Sequence, residues 1–345
     1  MFSFFGQLLV SIGLLLGYLL GSFSSFQYYN AALVITGLGL VNTLLVLPAP
    51  ETPRWLLVHG KRSRAVVTLE LLRGKSSDIT SELSDIEIDI AKTKDWKFSK
   101  VMKMLVTRAV LVPLFIILCV AIFQECGGIL AATSYSASIF KAAGVKAYRA
   151  TSTYSTAAVQ IVITVIAVFL VDTCGRKPLL IVSGIGSFIA TVLLGVEFYI
   201  TRPSLCAQYV NETLTTEVPD TDCNQQFAPL AIVSLMLFFS AFTIGWGPIP
   251  GILLGELLPL RVRGVASGIA MFLRWSFATL VSGTYFDLTK LVTPWFVWWF
   301  YSLVNLLSVV FVFVFVFETK GKSLEQIEER FRRKQCIPIQ CCVQS

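Results

Sequence analysis

The sequence has few charged residues and a single histidine, and both shortages narrow what the protein can be. Charged residues make up 14% of the 345 residues, whereas 55% are hydrophobic. A soluble protein of this length would need more charge on its surface. His59 alone cannot form a histidine-rich metal site, and the eight cysteines show no CxxC or Cys/His spacing. The composition therefore argues against a soluble globular fold and predicts no metal.

Other absences concern function. The sequence shows no nucleophile–base pair, no phosphate-binding loop and no ATPase domain, so we expect neither an enzyme nor a cofactor. The formal net charge of +7 does not indicate nucleic acid, because the basic residues cluster at the ends of apolar segments. We also expect no cleavable signal peptide, because the first apolar stretch lacks a basic start and further apolar stretches follow it.

The apolar residues form runs near the thickness of a bilayer, which is typical of a polytopic helical membrane protein. The runs predict eight spans, at about residues 4–21, 30–48, 107–126, 150–171, 178–200, 229–252, 262–283 and 294–317. Residues 127–142 are predicted to continue the third span beyond a break at Gly127 and Gly128. Residues 55–105 have apolar positions at helical spacing but too many charges to cross a membrane, which predicts short amphipathic helices.

The connecting segments predict the orientation of the spans. The largest basic cluster lies in residues 51–108, and by the positive-inside rule this segment is cytoplasmic. Eight spans then place both termini in the cytoplasm. The loop 201–228 lies on the opposite face, where Asn211 begins a glycosylation sequon and Cys206 and Cys223 can form a disulfide.

Four motifs place a carboxylate at the cytoplasmic end of a predicted span: PETPRWLL at 50–57, DTCGRK at 172–177, GELLPLRVRG at 255–264 and FETKGKSLEQIEERF at 317–331. Carboxylates and guanidinium groups gathered there can pair across helices and hold one conformation of the bundle. Ordinary interfacial anchoring explains the basic residues but explains the repeated acidic residues poorly. The predicted ion-pair residues are Glu51, Arg54, Asp172, Arg176, Glu256, Arg263 and Glu318.

These motifs, together with GWGPIP at 245–250, occur in an order and at a spacing that resemble the sugar-transporter family of the major facilitator superfamily. The GWGPIP form and the long glycosylatable loop look most like the intracellular-membrane hexose transporters and the insect trehalose-type transporters. The resemblance implies an all-α, polytopic membrane helix bundle with the major facilitator fold, which has twelve spans in two halves. The first span here matches the fifth span of the family, so we expect an N-terminally truncated bundle with about eight of the twelve spans.

The resemblance also divides the chain into four parts. Residues 1–50 correspond to the last two spans of the N-terminal half, and residues 51–106 to a cytoplasmic linker with short amphipathic helices. Residues 107–317 correspond to the six-span C-terminal half, and residues 318–345 to a cytoplasmic tail. A family member of this kind is a multi-pass protein of the plasma membrane or of an endosomal or lysosomal membrane.

The GWGPIP segment contains residues that weaken or break a helix inside a predicted span. The resemblance implies that Gly247, Pro248 and Pro250 let one half-helix move as a gate. The backbone groups that the prolines free can be tolerated when they face a cavity or other helices rather than lipid. Tyr135 matches one of two gating tyrosines of the family, and Ser134 stands at the other position. A packed core tyrosine is the alternative for Tyr135.

Polar side chains at bilayer depth are costly, so each is a candidate for a functional role. In the family, Gln and Asn amides hold sugar hydroxyls, and a Trp ring lies against the apolar face of the sugar. The family pattern QQLSGIN aligns with QECGGIL at 124–130, and the Asn-Trp pair of the eleventh span reads RW at 274–275. The substrate-binding residues implied are Gln7, Gln124, Glu125, Gln160, Trp246, Arg274 and Trp275. For Gln124 and Gln160 the alternative is interhelical hydrogen bonding without substrate contact.

Two of these residues are charged where the family has uncharged ones. Glu125 stands at the second Gln of the family pattern, and Arg274 stands at the Asn. A single charge in such a cavity is expensive, so we expect the two to pair with each other or with the substrate. A Glu can also bind a proton, and an Arg suits an anionic or carboxylated solute. The alternative for Arg274 is snorkelling to an interface.

Together these features predict alternating-access transport of a hexose or related polyol, as a uniporter or a proton symporter. The expected partners are the solute, a proton in the symport case, and membrane lipid, with no nucleic acid; the sequence does not indicate an oligomeric state. One alternative is a non-transporting truncated membrane protein, a sensor or a modulator of a full-length transporter, because most of the cavity lining of the first half is absent. A transporter of an organic anion is the other alternative.

Overall fold

A computed structural model gives the fold and describes residues 2–22, 36–37, 39–41, 43–44, 46–74, 79–93, 98–142, 149–202, 222–259, 262–322 and 324–332. Every regular element in these ranges is an α-helix, which confirms the all-α prediction. The helices are α1 (Phe2–Ser22), α2 (Pro53–Val58), α3 (Arg62–Arg73), α4 (Ile79–Thr93), α5 (Phe98–Leu105), α6 (Arg108–Cys126), α7 (Ile129–Ala142), α8 (Arg149–Cys174), α9 (Arg176–Ile200), α10 (Asp222–Ile244), α11 (Ile249–Leu257), α12 (Arg263–Leu291), α13 (Pro294–Phe315) and α14 (Leu324–Arg332).

Five helical segments among the described residues are long and apolar enough to cross a membrane: Arg108–Ser136, Arg176–Ile200, Phe227–Leu257, Arg263–Leu291 and Pro294–Phe315. They coincide with the predicted third, fifth, sixth, seventh and eighth spans, although the seventh continues past its predicted end. Shorter apolar stretches in α1 and α8 coincide with the first and fourth predicted spans. Nine of the 19 residues of the predicted second span, 30–48, lie outside the described residues.

Residues 23–104 form one compact unit. α2 begins at Pro53, a residue that suits the first helical position because no N–H is needed there. The side-chain oxygen of the preceding Thr52 accepts a hydrogen bond from the backbone N–H of Trp55 at 3.3 Å and so caps the helix. α2, α3 and α4 pack together. Their buried apolar residues are Leu56, Ala65, Leu69 and Leu83.

The second unit comprises residues 1–22 and 105–345. α9 packs against both α10 and α13, α6 packs against α12, and α1 packs against α8. Large apolar side chains point outward from this bundle; Phe169 and Phe313, for example, are 70% and 67% exposed. Such a surface suits helices that are surrounded by lipid. The backbone polar groups do not oppose this, because they are satisfied within each helix.

Two of the long helical segments are interrupted, at the places that the sequence predicts. The first interruption lies between α6 and α7, at Gly127 and Gly128. Gly128 has φ +89°, and a Cβ added there would lie 2.5 Å from the ring of Tyr301, so only glycine fits. The second lies between α10 and α11, at residues 245–248, where Pro248 removes a backbone donor.

Candidate substrate site and helix-end cluster

Gln124, in the last turn of α6, connects the two helix interruptions. Its side-chain nitrogen donates to the backbone carbonyl of Trp246 at 2.8 Å and to that of Gly247 at 3.4 Å. Gln124 is 2% exposed, and its side-chain oxygen is buried without a partner among the described residues. Asn305 on α13 reinforces the first interruption, because its Nδ2 donates to the carbonyl of Gly127 at 3.3 Å. The two helix interruptions are therefore connected by the side-chain amide of Gln124, whose oxygen accepts no hydrogen bond from the described residues.

Glu125 follows Gln124 and forms an ion pair with Arg274 on α12. The Nε of Arg274 donates to a carboxylate oxygen of Glu125 at 2.8 Å. The Glu125 side chain is 5% exposed and that of Arg274 is 30% exposed. Because Arg274 uses Nε alone, its two terminal nitrogens have no hydrogen-bond partner in the described part of the chain. The two charges identified in the sequence thus compensate each other between α6 and α12.

Gln160 lies on α8, where it is 7% exposed, and no hydrogen bond joins its side chain to Gln124 or Glu125 within the described ranges. Gln7 lies on α1, which packs against α8, but its side chain is outside the described part of the structure. The hydroxyls of Ser11 and Thr164, 3.4 Å apart, link α1 to α8. The structure therefore places Gln7 and Gln160 on neighbouring helices and does not connect them to Gln124.

The two predicted tryptophans have different surroundings. Trp246 is 3% exposed, its ring nitrogen donates to the carbonyl of Leu180 at 3.1 Å, and its backbone N–H donates to Ser183 Oγ at 3.1 Å. Its ring is thus packed against α9, and the substrate contact of Trp246 stays a prediction. Trp275 on α12 is 60% exposed.

Tyr135 connects α7 to α12. Its hydroxyl donates to the carbonyl of Ser282 at 3.1 Å, and its ring stacks on Tyr285 with centroids 5.4 Å apart. The backbone of Tyr135 leaves helical geometry, with φ −117° and ψ 15°, so α7 is kinked at this residue. A kink next to an interhelical contact is consistent with the predicted gating role, which stays a prediction.

Glu318, just after α13, caps the first turn of α9. One of its carboxylate oxygens accepts from the backbone N–H of Arg176 at 3.0 Å and the other from that of Lys177 at 3.0 Å. Gly175, with φ +92°, makes room, because a Cβ there would lie 2.7 Å from the carboxylate. Burial opposes ionisation of Glu318, but backbone N–H bonds outweigh it, so the pKa of this carboxyl lies below its usual value. These N–H groups belong to Lys320, Arg176, Lys177 and Thr319.

Glu256, at the end of α11, joins the same cluster. A terminal nitrogen of Arg176 donates to Glu256 at 3.2 Å, and the hydroxyl of Thr319 donates to the other carboxylate oxygen at 2.6 Å. The side chains of Arg176 and Glu256 are 17% and 24% exposed, so water screens the pair only partly. We call Arg176, Glu256, Glu318 and Thr319 the helix-end cluster; it joins α9, α11 and the segment after α13.

Arg263 is not part of this cluster. Arg263 donates to the carbonyl of Leu258 at 3.3 and 3.0 Å and forms no ion pair with a described carboxylate, so its predicted ion pair stays a prediction. Glu51 and Arg54 are exposed in the 23–104 unit. The side chains or whole residues of Asp172, Asn211, Cys206 and Cys223 lie outside the described part of the structure.

Sequence reasoning missed Asn305, Thr319 and the partner of Gln124. An amide inside the apolar run of α13 is itself a signal, because a polar group at that depth needs a partner. Thr319 gives no such signal, because a threonine next to a span's end is common in any membrane protein.

Comparison with known proteins supports the fold. The pattern of the family described as "Sugar (and other) transporter" matches residues 1–331. The chain is 33% identical to the sugar transporter ERD6-like 6 of Arabidopsis thaliana, covering 94% of this chain and 63% of that protein. It is 31% identical to the facilitated trehalose transporter Tret1 of Apis mellifera ligustica, covering 92% of this chain and 60% of that one. The chain therefore spans less than two thirds of the length of these relatives.

Solved structures agree. The proton:xylose symporter XylE bound to 6-bromo-6-deoxy-D-glucose superimposes with a TM-score of 0.71 at 27% identity, covering 95% of this chain and 66% of that one. The inward-open xylose transporter XylE from E. coli gives 0.68 at 25% identity, covering 94% and 64%.

The described part of the chain is an all-helical bundle with apolar spans, and it superimposes on XylE. These observations show an integral, multi-pass membrane protein of the major facilitator superfamily. Within that superfamily, the chain belongs to the sugar transporter family.

Proposed function

We propose that this protein transports a hexose, or a related sugar or polyol, across a membrane by alternating access, as a uniporter or a proton symporter. The observation that carries the proposal is the contact between two helix interruptions at Gln124. Transporters bind solutes beside such interruptions, because freed backbone groups and buried amides can hold a polar ligand there. The relatives are named as sugar and trehalose transporters, and one similar structure is a proton:xylose symporter, which supports a sugar as the solute.

The proposed moving part is α11. This nine-residue helix begins directly after the break at 245–248 and ends at the helix-end cluster, where Glu256 contacts Arg176 and Thr319. If α11 pivots at the break, as Pro248 and Pro250 allow, its far end must leave Arg176 and Thr319. The cluster would thus hold one conformation and be released in the other.

The placement in the membrane follows from the charge pattern. The helix-end cluster and residues 51–108 would lie on the cytoplasmic side, together with both termini, and loop 201–228 would carry a glycan on Asn211 on the other side. In this arrangement α1 belongs to the end of one six-span half, and the spans from α6 to α13 form the other. The host membrane would be the plasma membrane or an endosomal or lysosomal membrane.

Uptake by the purified chain in liposomes tests the proposal. We expect saturable uptake of D-glucose, D-xylose or trehalose, little uptake of L-glucose, and loss of uptake in Gln124→Leu. Ser276→Ala is the matched control, because Ser276 is exposed and its hydroxyl donates to the carbonyl of Phe272 in its own helix. A folded chain that takes up no sugar contradicts the proposal and favours a non-transporting modulator.

A further inference from the structure

We propose that the site between α6 and α12 takes a sugar acid, a hydroxylated solute with a carboxylate, together with one proton. This inference rests on the proposed transport function and adds the class of solute. The Arg274 guanidinium would leave the carboxylate of Glu125 and bind the carboxylate of the solute, and Glu125 would bind a proton from water. One negative charge and one positive charge would enter together, so the step is electrically neutral.

The first support is the geometry of the ion pair. Arg274 contacts Glu125 through Nε alone, at 2.8 Å, and its side chain is 30% exposed. The two terminal nitrogens have no hydrogen-bond partner among the described residues, and the guanidinium lies 5.7 Å from the centroid of the Trp275 ring. A guanidinium with two free parallel donors matches the two oxygens of a carboxylate, whereas a sugar hydroxyl needs only one donor. A neutral hexose would therefore leave part of this donor set unused.

The second support is independent of the ion pair. The side-chain oxygen of Gln124 is buried and accepts no hydrogen bond from the described residues, although its nitrogen is held by Trp246. A buried acceptor without a donor is unfavourable, and a solute hydroxyl can supply the donor. An acceptor for a hydroxyl, one residue before the partner of a guanidinium, fits a solute that carries both hydroxyls and a carboxylate.

The proton follows from the burial of Glu125. With its side chain 5% exposed, Glu125 cannot stay ionised at low cost once Arg274 has turned to the solute. Arg274 is the charged group that acts on Glu125 within the described residues. The thiol of Cys126 interacts with Glu125 on the same helix, and the phenol of Tyr301 on α13 interacts with that thiol. Glu256 on α11 is engaged with Arg176 at the far end of that helix.

Calorimetry on the full 345-residue chain in nanodiscs tests the inference, with D-glucuronate and D-glucose as probes. Titrations in two buffers that differ in ionisation enthalpy count the protons taken up. We expect D-glucuronate to bind about tenfold more tightly than D-glucose and to bring in about one proton. Arg274→Gln should remove this preference. Glu125→Gln should keep or strengthen D-glucuronate binding and abolish proton uptake, a result that a merely structural role of Glu125 would not produce.

Ser276→Ala should behave like the wild type. D-glucose bound as tightly as D-glucuronate overturns the inference and leaves sugar transport standing. D-glucuronate bound without proton uptake overturns the exchange of partners. A folded chain that binds neither probe contradicts both the inference and the proposed function.

Discussion

The side-chain amide of Gln124 donates a 2.8 Å hydrogen bond to the backbone carbonyl of Trp246. This bond ties the end of α6 to the break between α10 and α11. Trp246 is in turn held by Leu180 and Ser183 of α9. At the second interruption, between α10 and α11, Trp246 is therefore held in place by these hydrogen bonds, and the chain after it continues into α11. A pivot of α11 can occur without unpacking the indole.

Replacing Gln124 tests this junction. Gln124→Leu removes the donor and leaves the carbonyl of Trp246 buried without it, which costs about 1–3 kcal/mol. We expect sugar uptake to fall at least about tenfold, because the side-chain oxygen that we propose accepts a hydrogen bond from the solute is lost as well. Uptake in liposomes and the denaturation midpoint measure the two effects separately. Unchanged uptake in Gln124→Leu, with Ser276→Ala as the reference, would remove Gln124 from the site.

Gly128 is expected to tolerate no side chain. A Cβ there would lie 2.5 Å from the Tyr301 ring at φ +89°, so Gly128→Ala must displace a buried ring or alter the break. We expect destabilisation of about 2 kcal/mol or more, measured by thermal denaturation in detergent. Gly268→Ala is the control: it lies inside α12 with open space around it and should be neutral or slightly stabilising. Equal midpoints for the two variants would contradict the described break.

The Arg176–Glu256 pair should couple energetically. A double-mutant cycle with Arg176→Gln and Glu256→Gln is expected to give about 1 kcal/mol, because both side chains are mostly buried. Arg62 and Glu87 lie 2.7 Å apart but are 66% and 40% exposed, and the same cycle there should give less than about 0.5 kcal/mol. The reverse order of the two coupling energies would show that the helix-end cluster does not hold this conformation.

Glu318 predicts a pH dependence of stability. Its pKa is lower in the folded protein than in the unfolded chain, so the ionised form stabilises the fold above the usual glutamate pKa of about 4.3. That contribution disappears as the pH falls through the lowered pKa. We expect Glu318→Gln to lower the melting temperature at neutral pH and to narrow its difference from the wild type in acid. A difference that stays constant from neutral pH into acid contradicts the capping role.

The Glu125–Arg274 pair allows a test of mutual compensation. Glu125→Gln combined with Arg274→Asn removes both charges and should preserve hexose uptake within a few-fold. Each single change leaves one buried charge uncompensated and should cost about 1–3 kcal/mol more stability than the double change. Denaturation midpoints and uptake are measured on all three variants. Loss of all hexose uptake in a normally folded double variant contradicts a sugar site at this pair.

Much of the fold follows from local sequence rules. The helix breaks at Gly128 and Pro248 each depend on one residue's backbone chemistry, so the sequence predicts them directly. The apolar run does not fix where a helix ends, because a span can continue beyond the run when its end is solvated. α12 illustrates this, since it continues to Leu291 beyond the predicted 283.

The site is harder to predict because its contacts join distant parts of the chain. The resemblance to the family identifies Glu125 and Arg274 as unusual charges, and the expense of an unpaired charge predicts that they pair. No local sequence feature indicates that the ring of Trp246 faces Leu180, since an indole beside a helix break suits packing and sugar binding equally well. The partners of Arg263 and Gln124 are backbone carbonyls, which every residue carries and no sequence pattern singles out.

Counterflow in liposomes tests the central claim most directly. Vesicles with the 345-residue chain are loaded with unlabelled D-glucose and diluted into a trace of labelled D-glucose. A site that faces each side in turn predicts a transient accumulation of label above its equilibrium level, abolished by Gln124→Leu and absent with L-glucose. Simple equilibration of label without the transient would contradict alternating access.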